Sequence, residues 1–136
     1  MGRIIGIDFG KSKTGISLSD PLKIIASDYE VIFKKCNNEK YSRIKEICLE
    51  KDVEKIVLGL PLNMNGSHGF QADEVTAFAE QLKRLNIPIF FIDERLSTKK
   101  AEDTMKEMKM SREEIALKSD AKAASVILQE YLDYFL

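Results

Sequence analysis

The chain has 136 residues, 44% of them hydrophobic and 32% charged, which indicates one globular domain spanning residues 1–136. Its 21 basic and 22 acidic residues give a formal net charge of −1, so any site for a polyanion must be a local patch. The sequence contains neither an apolar run as long as a membrane span nor a signal-peptide pattern, and we therefore expect a cytoplasmic protein without a membrane partner.

The first part of the chain predicts three strands. Residues 3–9 form an apolar, β-branched run, and residues 14–19 alternate apolar and polar side chains, which is the period of a half-exposed strand. Turn-forming residues at 10–13 connect the two runs, so we expect an antiparallel hairpin. A third strand is predicted within residues 24–33.

Helices and strands alternate in the rest of the chain. A helix over 40–51 would bury Ile44, Ile47 and Cys48 on one face. The continuous apolar run at 55–60 is typical of a parallel strand covered on both faces. The next predicted element is a helix at 70–85 with Val75, Phe78, Ala79 and Leu82 on its inward face. It is followed by a strand at 88–92, a helix from Ser97 or Thr98 to about Met108, a short helix from Ser111 and a final helix capped by Ser119.

This order predicts an α/β fold with a central five-stranded mixed sheet flanked by helices. The N-terminal hairpin strands would be antiparallel, and the later strands, separated by helices, would be parallel. The carboxyl ends of the parallel strands then meet at one edge, where ligands bind in such folds. Asp8 ends the first strand, residues 59–61 end the fourth, and Asp93 and Glu94 end the fifth.

Asp120 supplies a third acidic position, at the predicted start of the last helix. Gly6 and Asp8 share one face of the first strand, and Gly6 allows another backbone to come close. The last helix has small residues near Asp120 for such an approach. We therefore expect its start to pack over Gly6 and to bring Asp120 to Asp8, with one inward stripe of residues, Asp120, Ala124, Ile127 and Tyr131. Carboxylates gathered in this way would hold a divalent cation.

Each acid also has a simpler explanation. Asp8 could cap the following turn, Glu94 could pair with Arg95, and Asp120 could serve only as a helix-start acid. Asp93 faces the opposite side of its strand from Glu94 and ranks second as a ligand.

Taken together, the motifs resemble those of a known family. They are, in chain order, Gly6-Ile7-Asp8-Phe9-Gly10, Gly15 to Asp20, Gly59 to Ser67, Asp93 to Thr98, and Asp120 to Ala124 with Ile127 to Asp133. This set resembles the YqgF family of pre-16S rRNA nucleases and Holliday-junction-resolvase-like proteins, essentially end to end.

The resemblance implies an RNase-H-like fold and catalytic acids at Asp8, Glu94 and Asp120. These acids would also be the metal ligands, for two Mg²⁺ or Mn²⁺ ions. The implied reaction is phosphodiester hydrolysis at the 5′ end of pre-16S rRNA. The family often has an arginine near the position of Lys13. A lysine there keeps the positive charge but lacks the bidentate hydrogen-bonding geometry of an arginine.

Five residues near the motifs are candidates for binding the substrate: Lys11, Lys13, Asn63, Arg95 and Lys122. The lysines could equally belong to an ordinary solvated surface, and the loop holding Asn63 could be only a tight turn. The lone His68 is expected to be a solvent-exposed loop residue.

We expect the partners to be nucleic acid, namely pre-rRNA or structured DNA, and ribosomal particles, with the protein a monomer or weak dimer. Three alternative functions remain. One is a Holliday-junction DNA resolvase, and another is a sugar-kinase-like or actin-like ATP-binding domain, although those proteins need two domains. The third is a catalytically silent protein that binds RNA or the ribosome.

Overall fold

The computed structural model describes residues 2–61, 69–93 and 112–135, with the side chains of 112–122 excluded. The strands are β1 (Arg3–Asp8), β2 (Thr14–Ser19), β3 (Ala26–Ile32), β4 (Val53–Leu60) and β5 (Ile89–Asp93). The helices are α1 (Asn37–Glu50), α2 (Phe70–Leu82) and α3 (Arg112–Phe135), and a 3₁₀ turn follows α2 at Lys83–Leu85. None of these helices combines the length and the apolar character needed to cross a membrane.

The five strands form one mixed sheet in the order β3-β2-β1-β4-β5. The pairs β1–β2 and β2–β3 are antiparallel, while β1–β4 and β4–β5 are parallel. The predicted hairpin and the predicted mixed sheet are therefore confirmed. Because β1, β4 and β5 run in the same direction, their carboxyl ends lie at one edge of the sheet.

The helices cover both faces of the sheet. On one face, α1 and α2 pack against fully buried side chains such as Ile5 and Ile7 of β1, and the predicted inward residues of both helices are buried there. On the other face, α3 packs against Ile4, Val57 and Ile92. Successive residues of β1 thus point alternately into the two layers, as strand geometry requires.

The predicted break near Ser119 does not exist, because α3 is one continuous helix of 24 residues. Asp120 therefore lies inside the helix rather than at its start, and Ser119 does not begin a helix of its own. The helix predicted from Ser111 is present, since α3 begins at Arg112, but it is not short. The physical reason is that residues 112–135 contain no glycine or proline and are rich in alanine and leucine, which favour a helix. A serine inside such a segment costs too little to end it.

Other boundaries moved by a few residues. Helix α1 begins at Asn37 rather than at 40, and α2 ends at Leu82 rather than at 85. The 3₁₀ turn after α2 stops at Asn86, whose φ of 56° lies in the left-handed region that asparagine tolerates. The helix predicted from Ser97 or Thr98 to about Met108 lies outside the described residues.

Candidate functional site

Asp8 lies at the carboxyl end of β1, at the shared edge of the three parallel strands. It is half-buried and pairs with Gly15 of β2. On the other side, Ile7 pairs with Leu58, so Gly59 of β4 follows beside Asp8. The strands flanking Asp8 thus carry glycines at this level, and the space above them on that face is not filled by their side chains. Asp93 lies at the same edge, at the end of β5, and is exposed.

Helix α3 lies unusually close to β1 at Gly6. A Cβ atom added to Gly6 would lie 2.7 Å from Leu128 Cβ and 2.9 Å from the Ala124 carbonyl oxygen, and would also collide with Ser17 Oγ. The Ser17 hydroxyl, fully buried, donates a hydrogen bond of 2.8 Å to the Ala124 carbonyl. The last helix therefore packs over Gly6 as predicted, but through Ala124 and Leu128 in its middle rather than through its start.

The direction of α3 determines which of its residues lie near Asp8. The Lys55 ammonium donates to the Tyr131 hydroxyl at 2.6 Å, and Lys55 pairs with Ile4 near the start of β1. Since Ala124 lies at Gly6, α3 runs antiparallel to β1. Going back from Ala124 to position 120 covers about 6 Å of helix, and going from Gly6 to Asp8 covers about 6.6 Å of strand. The backbone at position 120 therefore lies toward the Asp8 end of β1.

The residues after Asp8 are held from the opposite face of the sheet. The ring of Phe9 lies 4.7 Å from that of Phe78 in α2. The Lys40 ammonium of α1 lies 4.3 Å from the centre of the Phe9 ring and donates a hydrogen bond of 2.8 Å to the Gly10 carbonyl. The Thr14 hydroxyl donates to the same carbonyl at 3.2 Å.

Lys40 is a buried cation, with 1% of its surface exposed. Burial lowers the pKa of its ammonium from the ordinary value of 10.5, and the nearby Glu74 carboxylate and the Cys36 thiol partly offset that effect. Sequence reasoning missed this residue, because a lysine is expected at the surface. A signal existed, however: Lys40, Ile44, Ile47 and Cys48 are spaced as one helical stripe, and all four are buried.

A groove of about 520 Å³ opens beside the β1–β2 turn, on the side of α1 and α2. Its lining includes three lysines, Lys11, Lys35 and Lys40, and one acid, Glu74. The Lys11 ammonium lies 3.6 Å from the Glu74 carboxylate, and the Lys11 side chain is 71% exposed. So exposed an ion pair is weak, and Lys11 can exchange its partner for a phosphate at little cost.

Several predicted site residues are not among those that the structure describes. Asn63, His68, Glu94 and Arg95 lie outside the described residues, as do the side chains of Asp120 and Lys122. Lys13 is half-buried in the β1–β2 turn. Across the described side chains, no three acidic, histidine or cysteine residues are grouped to hold a metal ion, and two of the three predicted acids are not among them. The predicted metal cluster therefore stays a prediction.

Two solved structures share the fold. One is "T. thermophilus RuvC in complex with Holliday junction substrate", with a TM-score of 0.61 and 16% identity, covering 99% of this chain and 97% of that one. The other is the fowlpox virus resolvase in a complex with Holliday junction DNA, with a TM-score of 0.61 and 10% identity, covering 98% and 99%. The fold is therefore the RNase-H-like fold that the resemblance implied.

Sequence relatives are closer. A protein of Syntrophomonas wolfei named "Putative pre-16S rRNA nuclease" is 46% identical over 132 residues, which cover 96% of this chain and 94% of the relative. A protein of Clostridium acetobutylicum with the same name is 43% identical over 132 residues, covering 96% and 98%. The model of the RuvX family, described as Holliday junction resolvase, matches residues 2–134. These matches confirm the resemblance drawn from the motifs, and the chain belongs to the RuvX family.

Proposed function

We propose that this chain is a metal-dependent nuclease that hydrolyses phosphodiester bonds in pre-16S rRNA. The observation that carries the proposal is the seating of α3 on Gly6, because it directs helix position 120 toward Asp8. Glu94 directly follows β5, which ends at the same edge of the sheet. Membership of the RuvX family over residues 2–134 favours this function over the sugar-kinase-like alternative.

The proposed metal ligands are Asp8, Glu94 and Asp120. Carboxylate oxygens are the donors that Mg²⁺ and Mn²⁺ prefer, so this donor set fits such ions. Gly15 and Gly59 beside Asp8 leave space for ions on the α3 face of the sheet. Two divalent cations held there would neutralise charge developing on the phosphate and would acidify a water molecule.

The other proposed residues bind and orient the substrate. Lys11 lies at the β1–β2 turn with its ammonium exposed, where it can exchange Glu74 for a phosphate oxygen. Lys13 is in the same turn, and we propose the same role for it, for Arg95 and for Lys122. Asn63 would hold a phosphate through its amide. These contacts fix the position of the scissile bond and leave the chemistry to the acids.

The names of the sequence relatives support an RNA substrate, since both are named for pre-16S rRNA. The family description, Holliday junction resolvase, favours a four-way DNA junction as the second candidate substrate. We further propose that the chain is a single catalytic domain, acting in the cytoplasm as a monomer or weak dimer on ribosomal precursor particles.

The test compares wild type with Asp8→Asn on precursor rRNA and on a four-way DNA junction, each with Mg²⁺, with Mn²⁺ and with a chelator. Wild type should cut the RNA only when metal is present. Asp8→Asn should lose cleavage to background while it stays folded, because the substitution removes a carboxylate without changing the side-chain volume. Asp28→Asn, which changes an exposed acid on β3, is the matched control and should cut like wild type.

Three results would contradict the proposal or redirect it. Cleavage by Asp8→Asn at the wild-type rate would remove the catalytic assignment. Preferential cutting of the junction would replace RNA by DNA as the substrate. Metal-independent RNA binding without cleavage by wild type would favour the catalytically silent alternative.

A further inference from the structure

We propose that Lys40 is a positioning residue for Asp8, acting through Phe9 and Gly10. The inference rests on the proposed function, because it assigns Lys40 a role at the acid that would bind metal. Lys40 reaches from α1 to the turn that immediately follows Asp8, on the face of the sheet opposite to α3. It touches neither substrate nor metal in this proposal.

The first argument is the cost of burying this cation. Lys40 is 1% exposed, and its ammonium forms no ion pair with any carboxylate in the described part of the chain, where Glu74 pairs with Lys11 instead. A buried charge without an opposite charge is unfavourable. In the described part of the chain, its direct contacts are the Gly10 carbonyl, the Phe9 ring and, at a longer 3.4 Å, Asn37 Oδ1, while the Glu74 carboxylate favours the charge from farther away. Among the described residues, the shortest contacts of this charge are thus with the two residues after Asp8.

The second argument is how tightly those contacts hold the turn. The Gly10 carbonyl accepts hydrogen bonds from Lys40 and from the Thr14 hydroxyl, and the Gly10 amide donates to the same hydroxyl at 3.4 Å. A Cβ atom on Gly10 would collide with the Lys13 carbonyl oxygen, so the turn is closed. Phe9 is held by Phe78 as well as by Lys40. With residues 9 and 10 fixed, the backbone of Asp8 has little freedom.

The third argument is the division of roles between adjacent residues. Phe9 lies among the side chains of the α1/α2 layer, so Asp8, one residue earlier, lies on the α3 face. Holding Phe9 and Gly10 from behind therefore sets the direction of the carboxylate without occupying the space around it. A metal ligand needs its orientation fixed in this way, and loss of such support commonly costs 10–100-fold in metal affinity or activity.

The experiment uses Lys40→Met, which keeps a long side chain but removes the charge and the donors, and Lys40→Arg, which keeps both. Cys48→Ala is the matched control, since it alters a buried residue of the same helix farther from the turn. For each protein we would measure kcat and KM on RNA, the Mn²⁺ concentration giving half-maximal cleavage, Mn²⁺ binding by calorimetry, and hydrogen exchange at the Gly10 amide.

Lys40→Met should lower kcat and weaken Mn²⁺ binding by about 10–100-fold, with KM for the RNA changing by less than about threefold. Exchange at the Gly10 amide should accelerate by about tenfold. Lys40→Arg should recover most of each loss, and Cys48→Ala should match wild type in all four measurements. If Lys40 had only a structural role, Lys40→Met and Cys48→Ala proteins of equal stability would give the same kcat, Mn²⁺ affinity and Gly10 exchange rate.

Wild-type kcat and Mn²⁺ affinity in folded Lys40→Met would overturn the proposal. If Lys40→Met does not fold, Lys40→Gln, whose shorter stem cannot reach Gly10, gives the same test with the same expected losses. The exchange measurement separates the two proposals, because it needs no catalysis. If wild type neither binds Mn²⁺ nor cuts, the proposed function fails. In that case, faster exchange at the Gly10 amide in Lys40→Met would still support the proposal that Lys40 fixes this turn. Unchanged exchange would reject it.

Discussion

The two faces of the sheet are built differently, and the candidate site uses the difference. The α1/α2 face is a thick apolar layer in which large side chains such as Ile44, Phe78 and Leu82 are fully buried. At the α3 face, by contrast, the helix lies directly on Gly6, and the Ser17 hydroxyl of β2 donates a hydrogen bond to the Ala124 carbonyl of the helix. Among the described residues, the first face has the larger buried apolar cluster, and the other has a close and directional contact.

The motif around Asp8 spans both layers. Phe9 belongs to the thick layer, where Phe78 and Lys40 hold it, whereas Asp8 belongs to the face that α3 approaches. Stability and site geometry are therefore carried by different residues only one position apart. Substitutions deep in one layer should separate the two properties, and substitutions at the close contact should affect both.

The largest expected effect on stability comes from Leu82→Ala in the α1/α2 layer. Leu82 is fully buried, so its truncation should lower the free energy of unfolding by about 2–5 kcal/mol. The kcat and the Mn²⁺ requirement of the folded molecules should stay at wild-type values, because Leu82 is remote from the acid edge. Urea unfolding followed by assays well below the melting temperature checks both points. A fall in kcat that parallels the loss of stability would mean that the two faces are not separable.

Compared with Leu82→Ala, Gly6→Ala should lower the free energy of unfolding less but reduce activity more. The added methyl would meet the Ala124 carbonyl at 2.9 Å and Leu128 Cβ at 2.7 Å, so α3 must shift, at a cost of about 1–3 kcal/mol. Since α3 also carries Asp120, the shift should weaken Mn²⁺ binding and lower kcat. Calorimetry and single-turnover cleavage measure these changes.

Gly2→Ala is the matched control for Gly6→Ala. A methyl group on Gly2 would be similarly crowded, at 2.8 Å from Glu54 Cβ and 2.9 Å from the Asp52 carbonyl, but at the opposite end of β1 from Asp8. It should reduce stability to a comparable extent without changing Mn²⁺ affinity. If both variants lost metal affinity equally, the close contact at Gly6 would have no special relation to the site.

Much of this architecture could be predicted from local patterns. The period of apolar residues identified the buried faces of α1 and α2, and the absence of a side chain at Gly6 predicted the seat of α3. The predicted start of the last helix was wrong, because the serine capping signal at Ser119 was given more weight than the lack of any helix breaker around it. Capping is decided by neighbouring residues and packing, not by the serine alone.

Lys40 could not be assigned from its residue type. The stripe it shares with Ile44 and Ile47 indicates burial, but only the folded chain brings the turn after Asp8 within reach of its ammonium. Lys40 and Gly10 are 30 positions apart in the sequence, and no local pattern around either residue indicates the contact between them. In our proposal, the orientation of a metal ligand thus depends on a long-range contact that sequence patterns do not encode.

The smallest expected effect is on the pH dependence of stability, and it isolates the buried charge. Burial lowers the pKa of Lys40 below its ordinary value of 10.5, although Glu74 of α2 and the Cys36 thiol partly offset it. Between that lowered pKa and 10.5 the unfolded chain binds more protons than the folded one, so this residue makes stability rise with pH across that window. Lys40→Met should remove the rise, which urea midpoints at a series of alkaline pH values would measure as a difference from wild type.

Lys45→Met, on the exposed side of the same helix, controls for the loss of one positive charge. A wild-type slope in folded Lys40→Met would mean that burial does not disfavour the charged form of Lys40.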